Sequence, residues 1–156
     1  MLGTIALLTG DRDGGVALLE ESADLAGRVP WRWWRAGTLS ALADAAIAEG
    51  RDVDARALLR DALDLALQLG DRVGLSWYLS QLALALAREG QTEEAGRLWG
   101  AVEAAAAFIP GGPWPRDLER LEGELMELAD NAFERGREAG SSLVLEDAAR
   151  SIRDTD

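Results

Sequence analysis

Residues 42–59, LADAAIAEGRDVDARALL, combine three features that recur along the chain: a Leu-Ala pair, a glycine turn and a second apolar run. The glycine returns every forty residues, as Gly10, Gly50 and Gly90. A second set of helix breakers follows the same spacing: Pro30, Gly70 and Pro110. A fixed period with two breakers per unit is typical of stacked helix pairs.

Small and large apolar residues keep the same register after each glycine turn. The small positions are Gly15, Ala55 and Ala95, and the large positions are Leu19, Leu59 and Trp99. Small residues allow two helices to approach closely, and the large residue fills the space beside them. We therefore predict an all-α fold, a right-handed α-solenoid of antiparallel helix pairs.

The repeats are expected to occupy residues 1–111, as about two and a half units of forty residues, and capping helices to occupy residues 112–156. The expected repeat helices span residues 14–28, 32–49 and 53–69, with Asp52 and Thr92 as N-caps of second helices. In the cap, a single helix is expected over 115–138 and a short one over 144–153. The first of these has a leucine stripe: Leu118, Leu121, Leu125 and Leu128.

The balance of charge argues against nucleic acid and membranes as partners. The chain has 28 acidic and 16 basic side chains, and its formal net charge is −12. Such a charge repels phosphate backbones and anionic lipid surfaces. The sequence has no cysteine and no leader pattern of charged then apolar residues, so we expect a cytoplasmic protein.

The side chains that are missing exclude most catalytic chemistry. All 16 cations are arginines, and the sequence has no His, Cys or Lys. Nucleophilic triads, thiolates, the usual zinc sites, Schiff bases and phosphate-loop lysines therefore cannot form. We expect no catalytic residue, no metal and no cofactor, and thus no enzyme. Carboxylates acting with Tyr78 are the one catalytic arrangement left open.

Two stretches also carry a resemblance to a known family, which covers most of the chain from about residue 37 to the end. The first is Asp71-Arg-Val-Gly-Leu-Ser-Trp77, continuing through Leu82-Ala83 to Gly90 and then Ala95-Gly-Arg-Leu-Trp-Gly-Ala101. The second is the tail, with Phe133-Glu-Arg-Gly-Arg137 followed by Leu145-Glu-Asp-Ala148. Each unit has a leucine followed by a small residue in its first helix, then a glycine turn, then a small, a large and a small residue along its second helix. This order resembles the tetratricopeptide repeat. The period is forty residues, whereas that repeat has about thirty-four. Such elongated repeats are similar to those in the C-terminal arms of large bacterial ATP-dependent regulators, including LuxR-type transcriptional regulators.

The resemblance implies an interaction or sensor arm of a bacterial transcriptional or signalling regulator. In such regulators the nucleotide-hydrolysing core and the DNA-binding module lie elsewhere in the polypeptide. The arm is expected to bind a protein or peptide segment in its concave groove. Two alternatives remain: a site for a small-molecule effector, which needs an enclosed aromatic pocket, and an arm for homodimerisation.

The densest aromatic and cationic cluster is at the start of the second unit. There Trp31, Trp33 and Trp34 interleave with Arg32 and Arg35. One hypothesis is that the cluster binds an acidic peptide or a planar ligand by stacking and cation–π contacts. The other, which we favour, is that one or two indoles are buried between helices while the arginines pair with carboxylates.

Further candidates follow from the tetratricopeptide register and from the helical stripe in the third unit. The register places Trp77 on the concave groove, with Gln81 and Arg88 on the same face; for the polar residues simple solvent exposure is the alternative. The complete set of groove candidates is Arg32, Trp33, Trp34, Arg35, Trp77, Gln81 and Arg88. In contrast, Trp99 occupies the large position of its helix and is predicted to be in the core.

An apolar stripe is also present in the first residues. Leu2, Ile5 and Leu8 form a face that the first unit alone covers only in part. An uncovered end of a repeat array stacks on another element or another copy. We predict a homodimer that is joined through these three residues.

Overall fold

The computed structural model describes residues 2–28, 31–106, 108–109 and 115–152, and the regular elements in these ranges are all helices. They are α1 (Leu2–Leu8), α2 (Arg12–Arg28), α3 (Arg32–Ala48), α4 (Asp52–Leu69), α5 (Arg72–Arg88), α6 (Thr92–Ala106), α7 (Pro115–Leu128), α8 (Asn131–Gly140) and α9 (Leu145–Ser151). The all-α prediction is confirmed for these ranges. The breakers Pro30 and Pro110, and Trp114, lie outside them. None of the helices described is long and apolar enough to cross a membrane.

The glycine turns form as the sequence predicts. Gly10, Gly50 and Gly90 have φ angles of 89°, 72° and 81°, in the left-handed region where glycine alone is unstrained. Gly70, with φ 65°, ends α4 in the same way. Because each turn is short, successive helices from α1 to α6 run antiparallel, and each packs against the next.

The cap positions differ from the prediction by one residue. Asp52 and Thr92 are the first helical residues of α4 and α6 rather than N-caps. The cap position of α4 belongs to Arg51, whose side chain makes no capping bond. Asp11 and Asp71 do cap α2 and α5, since each accepts a backbone N–H three residues ahead, at 3.1 and 2.9 Å. The reason is that the glycine turn is one residue shorter than we expected.

The small and large positions that define the repeat are all in the interior. They are Gly15, Leu19, Ala55, Leu59, Ala95 and Trp99. Trp99 is only 3% exposed, so its prediction as a core residue is confirmed. The interior centres on α5, against which α3, α4, α6, α7 and α9 all pack.

The single helix predicted over residues 115–138 is wrong, because the chain breaks it into α7 and α8. The Asp130 carboxylate accepts the backbone N–H of Phe133 at 2.8 Å and so caps a new helix. The short helix predicted over 144–153 is present as α9. The C-terminal part therefore has three helices where the sequence predicted two.

Helices α6 and α8 touch through their backbones. Four glycines make this possible: Gly96 and Gly100 on α6, and Gly136 and Gly140 on α8. A Cβ atom on any of them would overlap a carbonyl oxygen of the facing helix. Gly136 lies against Glu93 and Gly140 lies against Arg97, so the two helices run parallel. The contact fixes α8 on α6, while α9 covers α5 and the other side of α6.

We predict that Gly136→Ala destabilises the protein by about 2–3 kcal/mol, because α6 and α8 must separate to admit a methyl group. The matched control is Gly37→Ala, at an exposed position within α3 where a Cβ atom meets nothing within 4 Å. This change should be neutral or stabilising by up to about 1 kcal/mol. Urea unfolding followed by tryptophan fluorescence measures both, and equal effects would contradict the backbone contact.

Candidate interaction surfaces

The three tryptophans at the start of α3 are on the surface. Trp31, Trp33 and Trp34 are 66%, 60% and 40% exposed. The rings of Trp33 and Trp34 are tilted by 50°, with their centroids 6.3 Å apart. The Trp34 indole N–H donates to the Ser22 hydroxyl of α2 at 3.3 Å, which fixes its orientation. The hypothesis that these indoles are buried between helices is therefore wrong.

The two arginines of the cluster are also exposed. Arg32 donates to the side-chain oxygen of Gln68 at 2.9 Å, and the Arg35 guanidinium lies beside Gly27. Within the described part of the chain, neither guanidinium pairs with a carboxylate. The predicted carboxylate pairing is therefore wrong too, although Arg35 lines the same surface depression as Glu20 and Asp24.

More exposed apolar side chains lie near the cluster, at the edge of the stack where α2 and α4 end and α3 and α5 begin. The contacts of Arg32 with Gln68 and of Trp34 with Ser22 bring these helix ends together. We call the following set the tryptophan edge: Leu25, Trp31, Trp33, Trp34, Leu69 and Val73, each at least 40% exposed. Leu25, Leu69 and Val73 are not among the residues that the sequence predicts for a binding surface. The signal for Val73 was its position forty residues after Trp33.

Two of the groove candidates on α5, Trp77 and Gln81, are less exposed than the residues of this edge. Gln81 is fully buried between α3 and α5, where it accepts from the Ser40 hydroxyl at 2.7 Å and donates to the Ser40 carbonyl at 3.2 Å. The prediction that Gln81 lines an open groove is therefore wrong, because the two helices meet there. Trp77 is half-buried and packs against the core.

Arg88 also joins helices. It donates to the Ile47 carbonyl of α3 at 2.7 Å and pairs with Glu124 of α7 at 2.6 Å. The structure thus divides the seven groove candidates into an exposed set at the start of α3 and a set on α5 that contacts neighbouring helices.

The N-terminal face is open. Leu2, Ile5 and Leu8 are 71%, 50% and 83% exposed. The residues eighty positions after Leu2 and Ile5 are Leu82 and Ala85, which are completely buried in the third unit. The apolar face that joins one unit to the preceding one is therefore uncovered on α1 in this structure.

Two depressions on the surface are open and partly charged. One, of about 490 Å³, lies along α6 and α8 and is lined by Glu103, Glu134, Arg135 and Arg137 among others. The other, of about 300 Å³, lies between α2, α3 and α4 beside Arg35. Neither is lined by an indole. They differ from the enclosed, mostly apolar cavities that hold small ligands.

Tyr78 is 5% exposed, inside the helical core. Burial, with a smaller contribution from the negative charge of Asp71, raises the pKa of its phenol to about 12. A phenol with a raised pKa holds its proton, which is the opposite of what a general base requires. The described residues also hold no group of three acidic side chains placed to bind a metal.

Comparison with known proteins adds no relative to this description. No protein-family model matches the chain, and no curated protein or solved structure does so either. The functional proposal therefore rests on the surfaces described above.

We predict that alkaline pH destabilises the protein through Tyr78 alone, because the chain has one tyrosine and no lysine or cysteine. The pKa of the Tyr78 phenol is about 12 in the folded state and 10.0 in its ordinary environment. Burial of the neutral phenol therefore contributes its full stabilisation to the folded state below pH 10. As the pH rises towards 12 this contribution is lost, which lowers the free energy of unfolding by up to about 2–3 kcal/mol. Urea unfolding at several pH values measures this loss, and phenolate absorbance gives the pKa. Tyr78→Phe should remove the pH dependence; if it persists, the assignment is wrong.

Proposed function

We propose that this chain is a non-catalytic protein-interaction module that binds an acidic protein segment through the tryptophan edge. The observation that carries the proposal is the exposure of three indoles beside two guanidinium groups that have no carboxylate partner among the described residues. We further propose that the helix pairs form a tetratricopeptide-like right-handed solenoid. The resemblance supports a role as a cytoplasmic arm of a bacterial transcriptional or signalling regulator.

The composition of the edge supports binding to protein. Tryptophan and arginine are the residues that most often dominate the free energy of protein association, and burying an indole removes a large apolar area from water. Trp31 and Trp33 leave 66% and 60% of their surface exposed, and that area is available for burial against a partner. In a chain with a net charge of −12, the Arg32 and Arg35 guanidinium groups, which have no ion-pair partner among the described residues, favour the approach of an acidic segment.

The alternative of a small-molecule sensor has less support. Such a site is enclosed and lined mainly by apolar and aromatic side chains. The two depressions described above are open, and the exposed indoles project from an edge instead of lining a cavity. An exposed apolar edge with arginines beside it matches the anatomy of a protein interface.

We predict that Trp33→Ala and Arg35→Ala each weaken the binding of acidic segments at least tenfold, about 1.4 kcal/mol or more. Binding is measured by surface plasmon resonance against an array of acidic peptides that contain aromatic residues. The matched control is Val53→Ala, which removes an equally exposed apolar side chain (63%) from the first turn of α4. If all three variants retain binding, or if no peptide binds the folded chain, the proposed function fails.

A second function, homodimeric assembly, is favoured by the N-terminal face. The α1 helix, LGTIALL, has no charged residue, so two copies can bring their faces together without desolvating a charge. At the far end of the stack α8 and α9 cover α5 and α6. A second copy can therefore add only face to face, which gives a closed two-fold dimer.

We predict that the chain is a dimer at micromolar concentration and that the double variant Leu2→Glu, Ile5→Glu is a monomer, because the paired faces would then bury four carboxylates. Light scattering coupled to size exclusion reports the mass. Val53→Glu adds a carboxylate elsewhere and should leave the dimer intact. A wild-type monomer across the micromolar range would remove this second function.

A further inference from the structure

The amphipathic helix α7 packs on α5, and the ion pair between Arg120 and Asp44 links it to α3. Its leucines Leu121 and Leu125 are completely buried. Among the described helices, α7 packs extensively only against α5, whereas α8 is fixed on α6. A surface that the repeat pattern assigns to the groove is therefore occupied by a helix of the same chain.

Two ion pairs add charge complementarity to this contact. The Arg120 guanidinium lies 3.0 Å from the Asp44 carboxylate of α3, and both side chains remain partly exposed. The Glu124 carboxylate lies 2.6 Å from the Arg88 guanidinium of α5. Arg88 also lies 3.7 Å from the Asp52 carboxylate of α4, and Arg120 and Glu124 pair with each other at 2.9 Å. The surface thus presents Asp44 and Arg88 to a helix that carries an arginine and a glutamate four residues apart, beside two buried leucines.

Helix α7 and the helix that follows it are held by different contacts. Helix α8 begins at its own cap, Asp130, and packs on α6, whereas α7 packs on α5. In the middle of α7, Gly123 is exposed, and a Cβ atom there would meet nothing within 4 Å. No packing requirement explains this glycine, and a glycine in the interior of a helix weakens it.

From these observations we propose that the face of α3 and α5 under α7 is a docking site for an amphipathic helix of a partner protein, and that α7 is its intramolecular occupant. The partner helix has two apolar residues four positions apart, an arginine that reaches Asp44 and a glutamate that reaches Arg88. This inference extends the proposed role in protein binding but uses a surface separate from the tryptophan edge.

Competition with α7 sets the affinity for a partner. A tethered helix acts at an effective concentration in the millimolar range, so a free helix of the same sequence binds only to the fraction of molecules in which α7 is released. Changes that release α7 therefore raise the apparent affinity for a free helix, and changes that strengthen α7 lower it.

The first experiment uses a fluorescein-labelled peptide with the sequence of residues 115–130, titrated with the full chain and followed by fluorescence anisotropy. Arg120→Glu in the chain places a carboxylate opposite Asp44 and leaves the buried leucines unaltered. Because the repulsion releases α7 from its site, the variant chain should bind the free peptide about fivefold to tenfold more tightly. Gly123→Ala in the chain strengthens α7 and should weaken binding about fivefold. Hydrogen exchange should be faster in α7 than in α5.

A reversal of charge shows whether the peptide occupies the same face. The chain with Asp44→Arg should prefer a peptide that carries Arg120→Glu by about tenfold, whereas the chain with Arg120→Glu should prefer the unaltered peptide. Asp44 is partly exposed, so its replacement does not disturb the core. Circular dichroism checks that each variant is folded.

The inference is overturned if folded variants with Arg120→Glu and Gly123→Ala bind the peptide equally, if none binds it, or if the charge preference does not reverse. Trp33→Ala separates this result from the proposed function, because it should leave peptide binding unchanged. If peptide binding is lost while the tryptophan edge still binds acidic segments, only the docking site is rejected. If the chain binds the peptide but the tryptophan edge binds no acidic segment, the proposed function is rejected and the docking site is retained.

Discussion

The burial of α5 is the constraint on which the rest of the structure depends. Every residue from Tyr78 to Ala87 is buried, because other helices surround this one on all sides. A helix with no solvent face must be apolar all round or must satisfy its polar groups internally. Here Ser80 donates to the Ser76 carbonyl at 2.8 Å, and Gln81 forms its two bonds with Ser40. Those bonds hold α3 against α5, and the helices α2, α4 and α6 pack against this pair.

The C-terminal helices use two different kinds of contact. Helix α8 meets α6 backbone to backbone through four glycines, a contact that tolerates no added atom. Helix α7 meets α5 through the buried side chains of Leu121 and Leu125 and through the ion pair of Glu124 with Arg88. The α8 contact therefore depends on the position of the backbone, whereas the α7 contact depends on side chains. At the junction between them, Asp130 caps α8.

Burial falls from the third unit to the first. At equivalent positions Leu98 is completely buried, Leu58 is half-buried, and Leu18 is 39% exposed. Each unit is covered by the one before it, so the uncovered apolar area collects on α1, α2 and the start of α3. The tryptophan edge and the N-terminal face are both part of this area. The surfaces available for binding are thus a consequence of the repeat architecture, in which each hairpin leaves a face for its neighbour.

The forty-residue period determined the helices, the glycine turns and the small and large interior positions, because these depend on local backbone conformation and on spacing along one helix. Other features needed the tertiary structure. The break at Asp130 interrupts an apolar stripe that runs from Leu118 to Leu128 and resumes at Phe133, and the new helix that begins there docks on α6. The exposure of the indoles depends on which neighbours pack beside α3, and the burial of Gln81 depends on Ser40, forty-one residues away. Periodicity indicates which residues share a face; only the packing of distant segments decides which faces are covered.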